Sequence, residues 1–258
     1  MSAATLLSLP LELLLTIIEN LDIQSLTSLL ASSSSLTKTL TQCFPSLIVR
    51  RPALLHAAAR NNHIYLLSSL LRLIPATTKN VRRETPLITA ASAGSIDAVK
   101  MLAALDSSSV SAALIAASST GQTGTVAQLL DTCYSHSNST LTKALCAAAG
   151  SGDQNTVGML LLVDGVEPHC CDEYGQTPLQ CAAKKGRTEV VRTLLSLGKV
   201  KRWIDSQDIH GWSALRWAVL GDYFETALLL KQEGATVDGE AHEYFTADLD
   251  VAMVEVSA

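Results

Sequence analysis

One seven-residue pattern recurs six times along the chain, and nothing else in the sequence constrains the fold as tightly. The copies are Ala53–Ala59, Thr85–Ala91, Ala112–Ser118, Lys143–Ala149, Thr177–Ala183 and Ser213–Val219. They share Leu55, Leu87, Leu114, Leu145, Leu179 and Leu215, separated by 32, 27, 31, 34 and 36 residues. A unit this short cannot bury an apolar face alone, so it must stack on its neighbours. Such a stack offers an open binding face rather than an enclosed pocket. The expected work of the chain is therefore to hold another molecule.

A period of about 33 residues with an opening such as Thr177-Pro178-Leu179 resembles the ankyrin repeat. Each unit reads as a turn, an Ala-rich inner helix, a Gly-centred turn and an outer helix rich in leucine. The turn glycines are Gly94, Gly121, Gly152 and Gly186. Asn62 stands in their place in the first unit, since asparagine tolerates the left-handed backbone. The short spacing before the third unit implies a shortened hairpin. Gly221 falls one residue early, which implies an offset outer helix in the sixth unit. The resemblance gives His56 and His63 local structural roles between repeats.

Composition agrees. Hydrophobic residues make up 48% of the 258, yet aromatics are only 4%, as close helix packing through small side chains would require. A net charge of −5 gives no general attraction to nucleic acid or to an anionic membrane. No stretch reads as a transmembrane helix, and the start of the chain has no basic segment of the kind that opens a signal peptide. Cytoplasm, nucleus or both are expected, with the six cysteines reduced and the sequon at Asn138 unused.

Residues 1–48 fall outside the repeat. Pro10 and Glu12 suit the first turn of a helix whose stripe is Leu13, Leu14, Ile17, Ile18 and Leu21. Asp22 can cap a second helix bearing Leu26, Leu29 and Leu30. A third stripe runs through Leu36, Leu40 and Phe44. The order Leu9-Pro10-x-Glu12-Leu13-Leu14-x-x-Ile17 resembles the F-box. That resemblance implies contact with a Skp-type adaptor and its cullin complex through Leu9, Pro10, Leu13, Leu14 and Ile17. It departs from the family in the third helix, where Ser32–Ser35, Thr37 and Thr39 replace basic and aromatic residues.

Chemistry is sparse. There is no P-loop, dinucleotide fingerprint, G-x-S-x-G or H-E-x-x-H. His169, Cys170, Cys171 and Cys181 invite a zinc reading, but adjacent cysteines do not converge on one ion as a C-x2-C pair does. The sequence thus gives no metal, cofactor or catalytic residue. Seven cations from Lys184 to Arg202 form a basic run without the aromatic interleaving or basic total charge of a nucleic-acid binder. A solvated surface is the first reading of that run, and an acidic partner the second. Trp203, Trp212 and Trp217 crowd the last repeat, where large rigid side chains suit an interface.

The whole reads as mainly α. An F-box-like three-helix segment (1–48) leads into an ankyrin α-solenoid of five to six repeats (50–238). The units fall at about 53–80, 83–109, 110–139, 141–171, 172–205 and 208–238. Residues 239–258 are an acidic cap or tail. The expected partner-binding residues are Glu173, Tyr174, Gln176, Lys184, Lys185, Ile209, His210 and Trp212, facing an acidic or phosphorylated segment of a target protein. The chain then serves as a non-catalytic substrate-recognition subunit of a Skp–cullin–F-box type ubiquitin ligase. The alternative is an ankyrin scaffold or regulatory protein whose N-terminal helices only cap the stack. If Leu9, Pro10, Leu13 and Leu14 face solvent, docking is favoured; if they face the first repeat, capping is.

Overall fold

A computed structural model describes residues 11–132 and 137–236. Among them every regular element is helical, and the six sequence repeats become six helix pairs. Among the described residues no single helix is long and apolar enough to cross a membrane. The described residues form two compact units, one from 11–114 and 128–132 and the other from 115–127 and 137–236.

The first unit opens with α1 (Leu11–Asn20), α2 (Ile23–Ser32), α3 (Ser34–Cys43) and the short α4 (Pro45–Val49). Asp22 caps α2 as expected, accepting from the Ser25 N–H at 2.6 Å. The fourth helix was not legible as a separate element in the sequence. Next come the pairs α5 (Ala53–Arg60) with α6 (Ile64–Leu70), and α7 (Pro86–Ala93) with α8 (Ile96–Ala103). Helix α2 packs on α5 and α3 on α6, so Leu26, Leu30, Leu36 and Leu40 share one core with Leu54, Leu55, Leu66 and Leu67. Arg51 locks this corner by donating to the carbonyl oxygens of Ile18, Glu19 and Leu21. Those are carbonyls that the end of α1 leaves without helical partners.

A third pair, α9 (Val110–Ser119) and α10 (Thr123–Thr132), supplies residues to both units. The second unit continues with α11 (Asn138–Ser151) and α12 (Gln154–Leu161), then α13 (Pro178–Ala183) and α14 (Thr188–Ser196). After α15 (Gly198–Lys201) it ends on α16 (Ala214–Leu220) and α17 (Phe224–Gln232). The start of α13 carries a complete capping box. Thr177 Oγ1 accepts from the Gln180 N–H while Gln180 Oε1 accepts from the Thr177 N–H, with Pro178 in the first turn. Both orphan donors are thereby satisfied.

Two expectations are corrected. The 27-residue spacing does not shorten a hairpin: α7 and α8 have eight residues each, and the loss falls on the connector, where residues 104–109 carry only a 3-10 turn. The sixth outer helix is not offset either. Asp222 takes the left-handed position at φ 57° while Gly221 stays at φ −94°. Helix α17 then starts two residues after Asp222, as α6 starts two after Asn62 (φ 57°) and α14 two after Gly186 (φ 63°). The register is carried by Asp222, one residue after the glycine that attracts the eye.

Candidate protein-interaction site

Two surfaces carry the expected contacts. On the first unit, Leu13 projects from α1 with 53% of its surface exposed, while Ile18 on the same helix is buried at 2%. Ile17 is half-buried. Leu9 and Pro10, and the side chain of Leu14, lie outside what is described.

On the second unit the connectors before α13 and α16 fold into fingers of one design. Asp172 Oδ1 accepts the N–H groups of Tyr174 and Gln176, both at 2.9 Å. Asp208 Oδ1 accepts those of His210 (2.9 Å) and Trp212 (3.1 Å). Each tip turns on a left-handed glycine, Gly175 at φ 67° and Gly211 at φ 72°. The two tips are tied by the Ile209 N–H donating to the Tyr174 carbonyl at 3.3 Å. This leaves Tyr174 (55%) and Ile209 (66%) as exposed apolar side chains, with exposed His210 and Glu173 beside them.

Behind the fingers, the inner helices α11 and α13 line an open groove of about 390 Å³ with Lys143, Cys146, Asp172, Glu173, Cys181, Lys184 and Lys185 on its walls. Its charges are partly spent. Lys143 meets Glu173 at 2.8 Å, and that hydrogen bond raises the Lys143 pKa above its ordinary value. Lys184 Nζ lies 4.0 Å from the Trp217 ring centroid, a cation–π contact. Lys185 is exposed.

Of the eight expected partner-binding residues, Gln176 is corrected. It is only 8% exposed, and its Nε2 donates to Asp208 Oδ2 at 3.1 Å. It joins one finger to the next instead of reaching outward. Trp212 is half-buried, with its ring edge-on to Trp217 at 4.5 Å and Arg216 over its face at 5.2 Å. It stiffens the tip from which Ile209 projects. The basic run is not one patch. Arg187 donates to the Gly150 carbonyl, Arg192 pairs with Glu189, and Lys201 pairs with Glu233. Trp203 stacks on His169, with centroids 5.1 Å apart and planes 4° apart.

The family resemblance pointed to a polar tie between repeats at His56, and sequence reasoning missed its counterpart at Gln180. His56 Nε2 lies 3.1 Å from the Thr78 carbonyl oxygen. In the aligned position Gln180 Nε2 donates to the carbonyls of Ser206 (2.6 Å) and Trp212 (2.9 Å). A shared offset of one residue after the repeat leucine was the available signal. It is obscured because histidine, glutamine and cysteine all occupy it.

Residues 54–141 and 145–240 match the family model described as ankyrin repeats (3 copies). The chain belongs to the ankyrin-repeat family. Among solved structures, the human ASB11 ankyrin repeat domain is similar, with a TM-score of 0.56 and 23% identity over 72% of this chain and 85% of that one. At that identity the likeness speaks to fold. Ankyrin repeats are a protein-interaction module, and an open stack of repeats offers an extended face to a partner.

Proposed function

We propose that this ankyrin-repeat protein is the substrate-recognition subunit of a Skp–cullin–F-box type ubiquitin ligase. Helix α1 would dock on the Skp-type adaptor, and the fingers and groove of the second unit would hold the target. The observation that carries the docking half is Leu13. A leucine of the F-box-like pattern stands 53% exposed on a helix whose Ile18 is buried at 2%. Burying such a side chain at an interface contributes about 1.5–3 kcal/mol.

On the target side, Tyr174 and Ile209 supply apolar anchors and Lys185 supplies positive charge. An acidic or phosphorylated segment carrying one apolar side chain fits that surface. Catalysis would reside in other subunits of the ligase.

The capping alternative also has an observation in its favour, since α2 and α3 cover α5 and α6. The two readings part at Leu13, because a cap has no use for an exposed leucine on its outer side. The test is direct binding of the full chain to a purified Skp-type adaptor, compared with Leu13→Asp. Micromolar association lost in the variant supports docking. No association of the unmodified protein at micromolar concentration leaves the capping scaffold as the reading.

A further inference from the structure

The fifth and sixth repeats solve the same problem with different chemistry. In the sixth finger two N–H donors from inner helices close the structure. Gln180 Nε2 reaches the Trp212 carbonyl at 2.9 Å, and Trp217 Nε1 reaches Asp208 Oδ2 at 2.9 Å. One repeat earlier, both aligned donors are cysteines. Cys146 replaces the glutamine, with its Sγ 3.5 Å from the Gln176 carbonyl oxygen. Cys181 replaces the tryptophan and faces Asp172, the counterpart of Asp208. Its Sγ is 3.9 Å from Gln176 Oε1. Thiols are weak donors, and these contacts are long. Two good hydrogen bonds have been exchanged for two sulfurs converging on one carboxylate.

The geometry points to a metal site: we propose that Cys146, Cys181 and Asp172 bind a thiophilic divalent cation of the zinc type. The two sulfurs and a carboxylate oxygen already lie within 4.8 Å of one another. Tetrahedral zinc, with Zn–S of about 2.3 Å and Zn–O of about 2.0–2.2 Å, places such donors about 3.5–3.8 Å apart. A contraction of at most about 1.3 Å therefore closes the triangle. Two thiolates with one carboxylate suit zinc over magnesium or calcium. Asp172 is held in place for the task by the Tyr174 and Gln176 N–H groups on Oδ1. No side-chain donor reaches its other oxygen among the described residues. The three residues line the open groove, so a fourth coordination position faces the surface where a partner would sit.

The zinc set suggested by sequence adjacency was His169, Cys170, Cys171 and Cys181. The fold takes only Cys181 from that set and joins it to residues from the preceding repeat and the finger between them.

The full chain, kept reduced, is titrated with Co(II), reading the thiolate-to-cobalt charge-transfer band, and Zn(II) is then added as competitor. One equivalent with a tetrahedral spectrum, displaced by Zn(II), is expected. Cys181→Ser and Asp172→Asn should each weaken binding by more than about 100-fold, beyond the 10–100-fold that loss of an outer hydrogen-bond partner costs. Asp172→Asn keeps the finger, since Asn80 accepts the Arg82 and Glu84 N–H groups in the same way, and circular dichroism verifies folding of both variants. Absence of thiolate charge transfer in the unmodified protein overturns the site. Unchanged affinity in both variants overturns it too, as does binding that depends on Cys170 or Cys171 but not on Cys181.

Discussion

The Trp217 indole donates its Nε1–H to Oδ2 of Asp208 at 2.9 Å, while Lys184 Nζ lies 4.0 Å from the centroid of the same ring. One side chain thus closes the sixth finger and engages a cation of the fifth repeat. Burial pushes the Asp208 pKa up, but hydrogen bonds from Gln176, from the backbone of Trp212 and His210, and from Trp217 outweigh it. The net result lies below the ordinary 3.8. Trp217→Phe keeps a ring for Lys184 and removes one donor to a buried carboxylate. Oδ2 keeps its Gln176 bond, so the expected loss is that of one hydrogen bond to a charged group, about 1.5–3 kcal/mol, read as a lower midpoint in chemical denaturation of the full chain.

Acid should weaken the second unit through Asp153. Its carboxylate accepts from Thr123 Oγ1 at 2.6 Å and from the Asn155 and Thr156 N–H groups at 3.3 Å, joining the third outer helix to the fourth. Burial raises its pKa, and these bonds more than offset the rise, so the folded value lies below 3.8. A depressed carboxylate pKa contributes stability above the unfolded pKa and loses it as pH falls through the folded one. Unfolding followed from pH 6 down to about pH 2 should therefore show a loss below the ordinary value of 3.8. In Asp153→Asn that portion of the pH dependence should be absent.

Asn62 separates backbone conformation from side-chain bonding. It sits at φ 57°, accepts the Ala98 N–H at 2.9 Å and donates to Asp97 Oδ2 at 3.0 Å. Asn62→Gly keeps the left-handed turn and loses the ties, a cost of about 0.5–1.5 kcal/mol for a hydrogen bond. Asn62→Ala loses the same ties and adds about 1–2 kcal/mol of left-handed strain. Alanine should be the worse of the two in a denaturation series. Equal midpoints would mean that the turn tolerates a Cβ without strain.

Six helix pairs were legible because the repeat leucines and the small residues after them must face inward in every copy; Leu55, Leu87, Leu114, Leu145, Leu179 and Leu215 are all buried at 2% or less. What the sequence hid depends on contacts between copies. Gln176 looked like a fingertip residue from its place before Thr177, but the next finger brings Asp208 to its amide. Trp212 looked like a projecting anchor because Trp217, five positions along, closes on it only once α16 has formed. Arg51 gave no signal at all, because its partners are the carbonyls at the end of a helix 30 residues earlier. The groove of the candidate site was legible only as a list of facing positions. Its cysteine pair comes from two repeats, and no spacing rule within one segment finds it.

The N-terminal helices offer the sharpest contrast between two leucines. Leu40 is 1% exposed in α3, whereas Leu13 is 53% exposed in α1. Around Leu40, Thr37 Oγ1 donates to the Leu30 carbonyl at 2.7 Å, so α2 and α3 are fixed to each other as well as to α5 and α6. Leu40→Ala should cost about 2–5 kcal/mol, as a truncated core leucine does. Leu13→Ala should stay within about 0.5 kcal/mol, as a surface substitution does. If the helices are an integral end of the repeat stack, Leu40→Ala lowers the midpoint of the first unit's repeats along with its own. If they fold apart from the repeats, hydrogen exchange in α5 and α6 is unchanged while α2 and α3 lose protection. The shared core of Leu26, Leu30, Leu54 and Leu55 leads us to expect the first outcome. Under the proposed docking, Leu13 is then a side chain whose truncation lowers adaptor binding without a change in stability.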